Sequence, residues 1–259
     1  MEGPRATLDE VDGVLADLVE ICGKHVLNQN DDAIILEPYV PFLPERGLPE
    51  KWNRVLVLGE AQNLSSTYDH YVQRLLGSTA RDRILRHYWE PRIHVKPWDD
   101  GTLKLAMSAA FGCGAERFAV SNAVFWSIKT QDGNNKTPRT NLQKKSEALW
   151  KEMLPMLDPT HVVTTGKVAS RLVAKVRAEL GARWVHVELS SASPLYLARQ
   201  AAEVDEHELL GQYPQVAGVV QAHPEYVDRY RRNRIYFASE AVRAVEVSGR
   251  NSPMLSESE

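Results

Sequence analysis

The chain has 259 residues, 43% apolar and 25% charged, enough to bury the core of one large domain or of two small ones. Its net charge of −3 excludes wholesale electrostatic attraction to nucleic acid but leaves room for a local basic face. Two cysteines, Cys22 and Cys113, cannot build a disulfide framework, no apolar run approaches the ~20 residues of a membrane span, and the N-terminus lacks the pattern of a signal peptide, so a soluble, cytoplasmic protein is expected.

In chain order, apolar residues at helical spacing (Leu8, Val11, Leu15, Leu18, Val19, Cys22) predict a first helix with Thr7 as its cap. The Pro-rich residues 36–50 are expected to run extended over the surface. "RVLVLGE" (54–60) is a continuous apolar run of the kind buried on both faces of a parallel sheet, followed by a mixed aromatic and basic stretch. "LKLAMSAAFG" predicts a short helix and "RFAVSNAVFW" a second strand. The turn-rich loop 127–140 leads to the amphipathic helix "NLQKKSEALWKEMLPML", and "HVVTTG" is the third strand, with a helix opening at Lys167. "RWVHVEL" and "VAGVVQA" are further strand candidates, separated by a helical stretch. A last helix, "YFASEAVRAVEV", precedes a polar tail expected to be disordered.

Strands alternating with helices predict an α/β fold, a three-layer α/β/α sandwich around a mostly parallel central sheet. Residues 1–50 would pack on a core domain of residues 51–248, with 249–259 as the tail. Ligands in such sheets bind beyond the carboxyl ends of the strands. The predicted strand ends place Glu60, Asn122, Lys167 and His223 on one rim. A carboxylate at the end of a buried strand poses a question: is Glu60 a working group or a helix cap?

The order of these motifs resembles the uracil-DNA glycosylase superfamily. It is most similar to the branch whose first motif reads Gly-Glu-Ala-Pro-Gly after a strand. "VLVLGEAQN" matches through Ala61 and departs at Gln62 and Asn63. "VSNAVFW", "GNNKTPRT", "VVTTGKVASRLV" and "AHPEYVDRYRRNR" follow in the family's order, so the resemblance spans residues 54–247. That branch holds an iron–sulfur cluster through four cysteines; two cannot, so no cluster and no other cofactor are expected. A competing register exists, because "SASPL" (191–195) is similar to the end of the motif His-Pro-Ser-Pro-Leu. It lacks the histidine, and His223 is preferred.

The resemblance implies a monofunctional DNA glycosylase that hydrolyses a base–sugar bond and leaves an abasic site. Such an enzyme flips its base out of the stack and stabilises an oxocarbenium-like sugar and a departing base anion. It makes Glu60 the carboxylate that offsets the sugar cation and activates water, and His223 the donor to the base. Asn122 would read the base edge, although its amide can present either end. Tyr68 or Tyr71 would stack on the flipped base, with Ala61, Gln62 and Asn63 beside it. Lys136, Arg139, Lys144 and Lys145 form one basic group for DNA. Arg229, Arg231, Arg232 and Arg234 with Tyr226 and Tyr230 form another, and the amides at Lys167 a phosphate seat. Gln62-Asn63 supplies no aromatic gate against a C5 substituent. A C5-modified cytosine of the kind phages carry is therefore an expected substrate, and antiviral defence a role, beside the family default of uracil repair. The alternatives are a noncatalytic DNA-binding module of the same fold and a nucleotide-binding or methyl-transferring enzyme. The latter lacks the Gly-x-Gly-x-x-Gly fingerprint.

Overall fold

The apolar run after Asn53 does become a central strand. In the computed structural model, which describes residues 13–28, 36–44, 52–64, 79–89, 95–129 and 140–251, β1 (Val55–Leu64) lies between β2 (Ala119–Lys129) and β3 (His161–Thr165), with β4 (Val185–Leu189) outermost. All three pairings are parallel. Side chains alternate between the faces of a strand. Leu56 and Leu58 join one core cluster and Val55 and Val57 the other, which is why the run reads as unbroken apolar.

The first face carries α1 (Gly13–Lys24), α2 (Ala80–Trp89), α5 (Thr140–Leu157) and α6 (Lys167–Leu180). Leu18, Ile84, Trp150 and Val173 from these helices are fully buried there. The second face carries α4 (Thr102–Phe111), after the short α3 (Lys96–Asp99), together with α7 (Pro194–Gln200), α8 (Glu206–Gln212), α9 (Pro214–Ala222) and α10 (Arg231–Asn251). This is the expected three-layer α/β/α sandwich. The route from β1 to β2 passes α2 on the first face before α4 on the second, and the route from β3 to β4 passes α6 on the first. Ligands in parallel α/β sheets bind beyond the carboxyl ends of the strands, and β1 and β3 lie side by side there.

Four local expectations are corrected. Residues 36–44 do not lie on the surface: Tyr39, Val40 and Leu43 are buried. Phe42 exchanges backbone hydrogen bonds of 2.8 and 2.9 Å with Val120, and Tyr39 donates to the Phe125 carbonyl at 3.0 Å. An outer strand leaves unpaired backbone groups, and this segment covers part of them. "VAGVVQA" is not a strand but most of α9. Pro214 opens that helix, and Val216 and Val220, four residues apart, are its buried stripe. β1 does not stop at Glu60; it pairs with β2 as far as Leu64 and Lys129, with a register shift between Ala61 and Asn63. The last helix begins at Arg231 and runs to Asn251, into the segment expected to be disordered.

Candidate functional site

Glu60 follows Leu58 on the first face, where α6 begins. The Val168 amide, in the first turn of α6, donates to Glu60 Oε1 at 3.0 Å. Among the described residues this is the one hydrogen bond of the Glu60 side chain. Helix N-termini carry unsatisfied amides and partial positive charge, so a carboxylate is favoured there. The approach requires glycine at 166: its φ is +87°, and a Cβ there would stand 2.5 Å from Glu60 Oε1. Glu60 is therefore a helix cap, and it stands on the first face just past the carboxyl end of β3. The phosphate seat expected at the opening of α6 is filled, at Val168, by this carboxylate. Lys167 itself is exposed.

Asn122 is the register partner of Gly59 on the neighbouring strand and is 7% exposed. A Cβ on Gly59 would meet Asn122 Oδ1 at 2.7 Å and Val95 Cγ1 at 3.0 Å. Val95 belongs to the second-face core. The amide thus lies on the second face and the Glu60 carboxylate on the first. The strand alternation that buries β1 separates the two groups the sequence had placed side by side. Ala61 is half-buried against the first-face core. Gln62 and Asn63 continue β1, and their side chains lie outside the described residues, as do Tyr68, Tyr71, Lys136 and Arg139.

His223 caps the carboxyl end of α9 rather than ending a strand. Its ring stacks on Tyr226 at 4.8 Å and its Nδ1 lies 3.1 Å from Glu225 Oε1. Tyr226 is fixed through its backbone. The buried Arg234 donates to its carbonyl at 2.7 Å, and a Cβ on Gly101 would come within 3.0 Å of its Cα. Arg234 is thereby withdrawn from any DNA contact. Arg231 pairs with Glu206 at 2.6 Å and Arg232 donates to the Ala202 carbonyl at 3.1 Å, tying α10 to the α7–α8 segment. Arg229 and Lys144 are exposed. Tyr230 is 63% exposed at a left-handed φ of 57°.

The motif that does follow the last strand is "SSASPLY", the competing register. Glu240 of α10 accepts from the Ser190 amide at 2.9 Å and from its hydroxyl at 2.8 Å. Ser193 caps α7 by accepting from the Tyr196 amide at 3.3 Å. The rim so fixed presents Leu195, 79% exposed. Sequence reading set this register aside because it lacks a histidine, and a strand expected over α9 placed the last strand end at His223.

A cavity of about 380 Å³ opens beside β2. Phe42, Trp98 and Tyr226 give it aromatic walls, and Asp99, Lys104 and Glu116 bring charge to it. Val120 lies on its floor, two residues before Asn122 on the same face, about 7 Å along the strand. Burial pushes the Asp99 carboxyl up to about 6, with Lys104 opposing and Asp100 adding to the rise. No model of a known family and no curated protein matches the chain. Among the described residues no group of three His, Cys, Asp or Glu side chains could hold a metal ion, and no helix is long and apolar enough to cross a membrane.

Proposed function

We propose that this protein is a monofunctional DNA glycosylase acting on a pyrimidine, with a C5-modified cytosine of phage DNA as its substrate and defence against such DNA as its role. The observation that carries the reading is the position of Glu60, a carboxylate at the carboxyl-end rim that parallel α/β sheets use for ligands. From there it would offset the sugar cation and take a proton from the water that attacks C1′, while the base leaves with the bonding electron pair. The departing base would be met from the second face, where Asn122 lies and His223 stands on Tyr226. Leu195 is the apolar side chain available at the rim to hold the duplex open. The exposed cation Arg229 would contact phosphate.

A second reading, a noncatalytic DNA-binding module, draws on the same bond, because a carboxylate capping α6 has a structural purpose without any reaction. Glu60→Gln separates the two. Its amide oxygen can still accept from Val168, so the cap persists while the base and the charge are lost. Mass spectrometry of bases released from uracil-containing, hydroxymethylcytosine-containing and glucosylated DNA is the deciding measurement. Release of a modified cytosine, reduced by about 10²–10⁴ in Glu60→Gln, is the expected result. Release of uracil alone would make the protein a repair enzyme, and DNA binding with no base freed from any of the three would make it the module.

A further inference from the structure

The cavity beside β2 is assembled from parts that, Tyr226 apart, the mechanism above leaves unused. Its volume falls at the lower end of the roughly 300–1,000 Å³ of small-molecule sites, and aromatic walls with a few polar groups are what such sites share. The polar groups are uneven in kind. Asp99 and Glu116 are carboxylates, which accept hydrogen bonds when ionised, and Lys104 only donates. A flat ring offering an amino group on one side and a carbonyl on another meets both. A ring with carbonyls at both places would set an oxygen against a carboxylate.

We propose that this cavity binds a planar ring bearing an exocyclic amino group, a cytosine-type base, selected over a uracil-type base by Asp99 and Glu116. The aromatic residues take the ring faces, the two carboxylates accept from the amino group, and Lys104 donates to the ring carbonyl. Pairing of this kind, carboxylate to the cytosine amino group, discriminates between bases by about tenfold or more. Asn122, one same-face position along β2, and the His223–Tyr226 stack place the cavity next to the groups assigned to the departing base. The identity of the ring as a DNA base rests on the glycosylase reading; its amino group and its walls do not.

The test uses the whole chain and free nucleosides, so that no cleavage is required. Saturation-transfer NMR would compare 2′-deoxycytidine, 5-hydroxymethyl-2′-deoxycytidine and 2′-deoxyuridine as ligands. The two cytosine nucleosides are expected to bind at least about tenfold more tightly than 2′-deoxyuridine. That preference should collapse in Asp99→Asn with Glu116→Gln, while Trp98→Ala weakens all three alike. Neither residue is among the buried polar residues of the core, so the double variant is expected to fold, which its circular dichroism would verify. Equal binding of 2′-deoxyuridine, no binding of any nucleoside, or a preference that survives the double variant would each overturn the proposal. A cytosine preference without base release from DNA would sink the glycosylase reading alone. Release of a base with no cytosine preference would sink the cavity assignment alone.

Discussion

The surroundings of Glu60 and the cavity beside β2 lie on opposite faces of the sheet, and they are built in opposite ways. At Glu60, glycine at 166 lets a carboxylate approach a helix end closely. In the cavity, side chains from separate segments surround open space, with carboxylates and an amine among aromatic rings. A site packed against its own backbone can fix one group with little freedom to move, which suits chemistry. A site left open can choose among ligands, which suits recognition. On the proposed function, these tasks would be divided between the two faces of the sheet.

Several perturbations would break or sharpen that division. The largest effect is expected at Glu60, where the glutamine variant should lose about 10²–10⁴ in base release while keeping its melting temperature. Next comes Gly166→Ala. Its φ of 87° and ψ of 160° belong to a region that only glycine occupies readily, costing about 1–3 kcal/mol before the contact with Glu60 is counted. Thermal unfolding should show that loss, and base release should fall with it. Gly59→Ala acts on the other face, forcing Asn122 and Val95 to give way at about 1–3 kcal/mol. It should impair recognition of the base while leaving the Glu60–Val168 bond in place; a variant with unchanged substrate preference would speak against Asn122 as the reader.

Two pH effects are smaller and opposite in sign. Burial lowers the pKa of His186, outweighing Glu188 nearby and aided by Arg177, and burial lowers that of His161. The unfolded chain then binds more protons than the folded one, so this stability is present above about pH 6.5 and is lost as pH falls below it. Asp99 runs the other way, because its folded pKa of about 6 lies above the ordinary 3.8 of an aspartate. The folded state holds the extra proton between these values, so stability falls as pH rises through that window. Asp99→Asn should therefore raise the melting temperature at pH 7.5 and leave it unchanged at pH 4. Equal shifts at both pH values would show that its carboxyl is not crowded in the folded protein.

How much of this could be read in advance depends on how far along the chain each feature extends. β1, β2, β3 and β4 were legible because each is a short apolar run beside turn residues or a helical pattern. α9 was not, since "VAGVV" fits a buried strand as well as a helix and only the four-residue spacing of Val216 and Val220 decides it. The contact between Glu60 and α6 follows from two contiguous motifs meeting at one sheet end. The reason for "GE" lies elsewhere: Gly59 yields space to Asn122, 63 residues on. The cavity was illegible for the same reason carried further, because Phe42, Trp98, Glu116 and Tyr226 come together only in the folded chain.

Phe42 belongs to two structures at once. Its backbone forms the bridge to Val120 along the outer edge of β2, and its ring is a wall of the cavity. Whatever fills the cavity must press on the strap that closes the sheet. Occupancy should then be recorded far from any reaction, as slower hydrogen exchange at the Phe42 and Val120 amides. The same strap ties the N-terminal segment to the edge of β2, so a fragment beginning at residue 52 would offer that bare edge to its neighbours and assemble into aggregates.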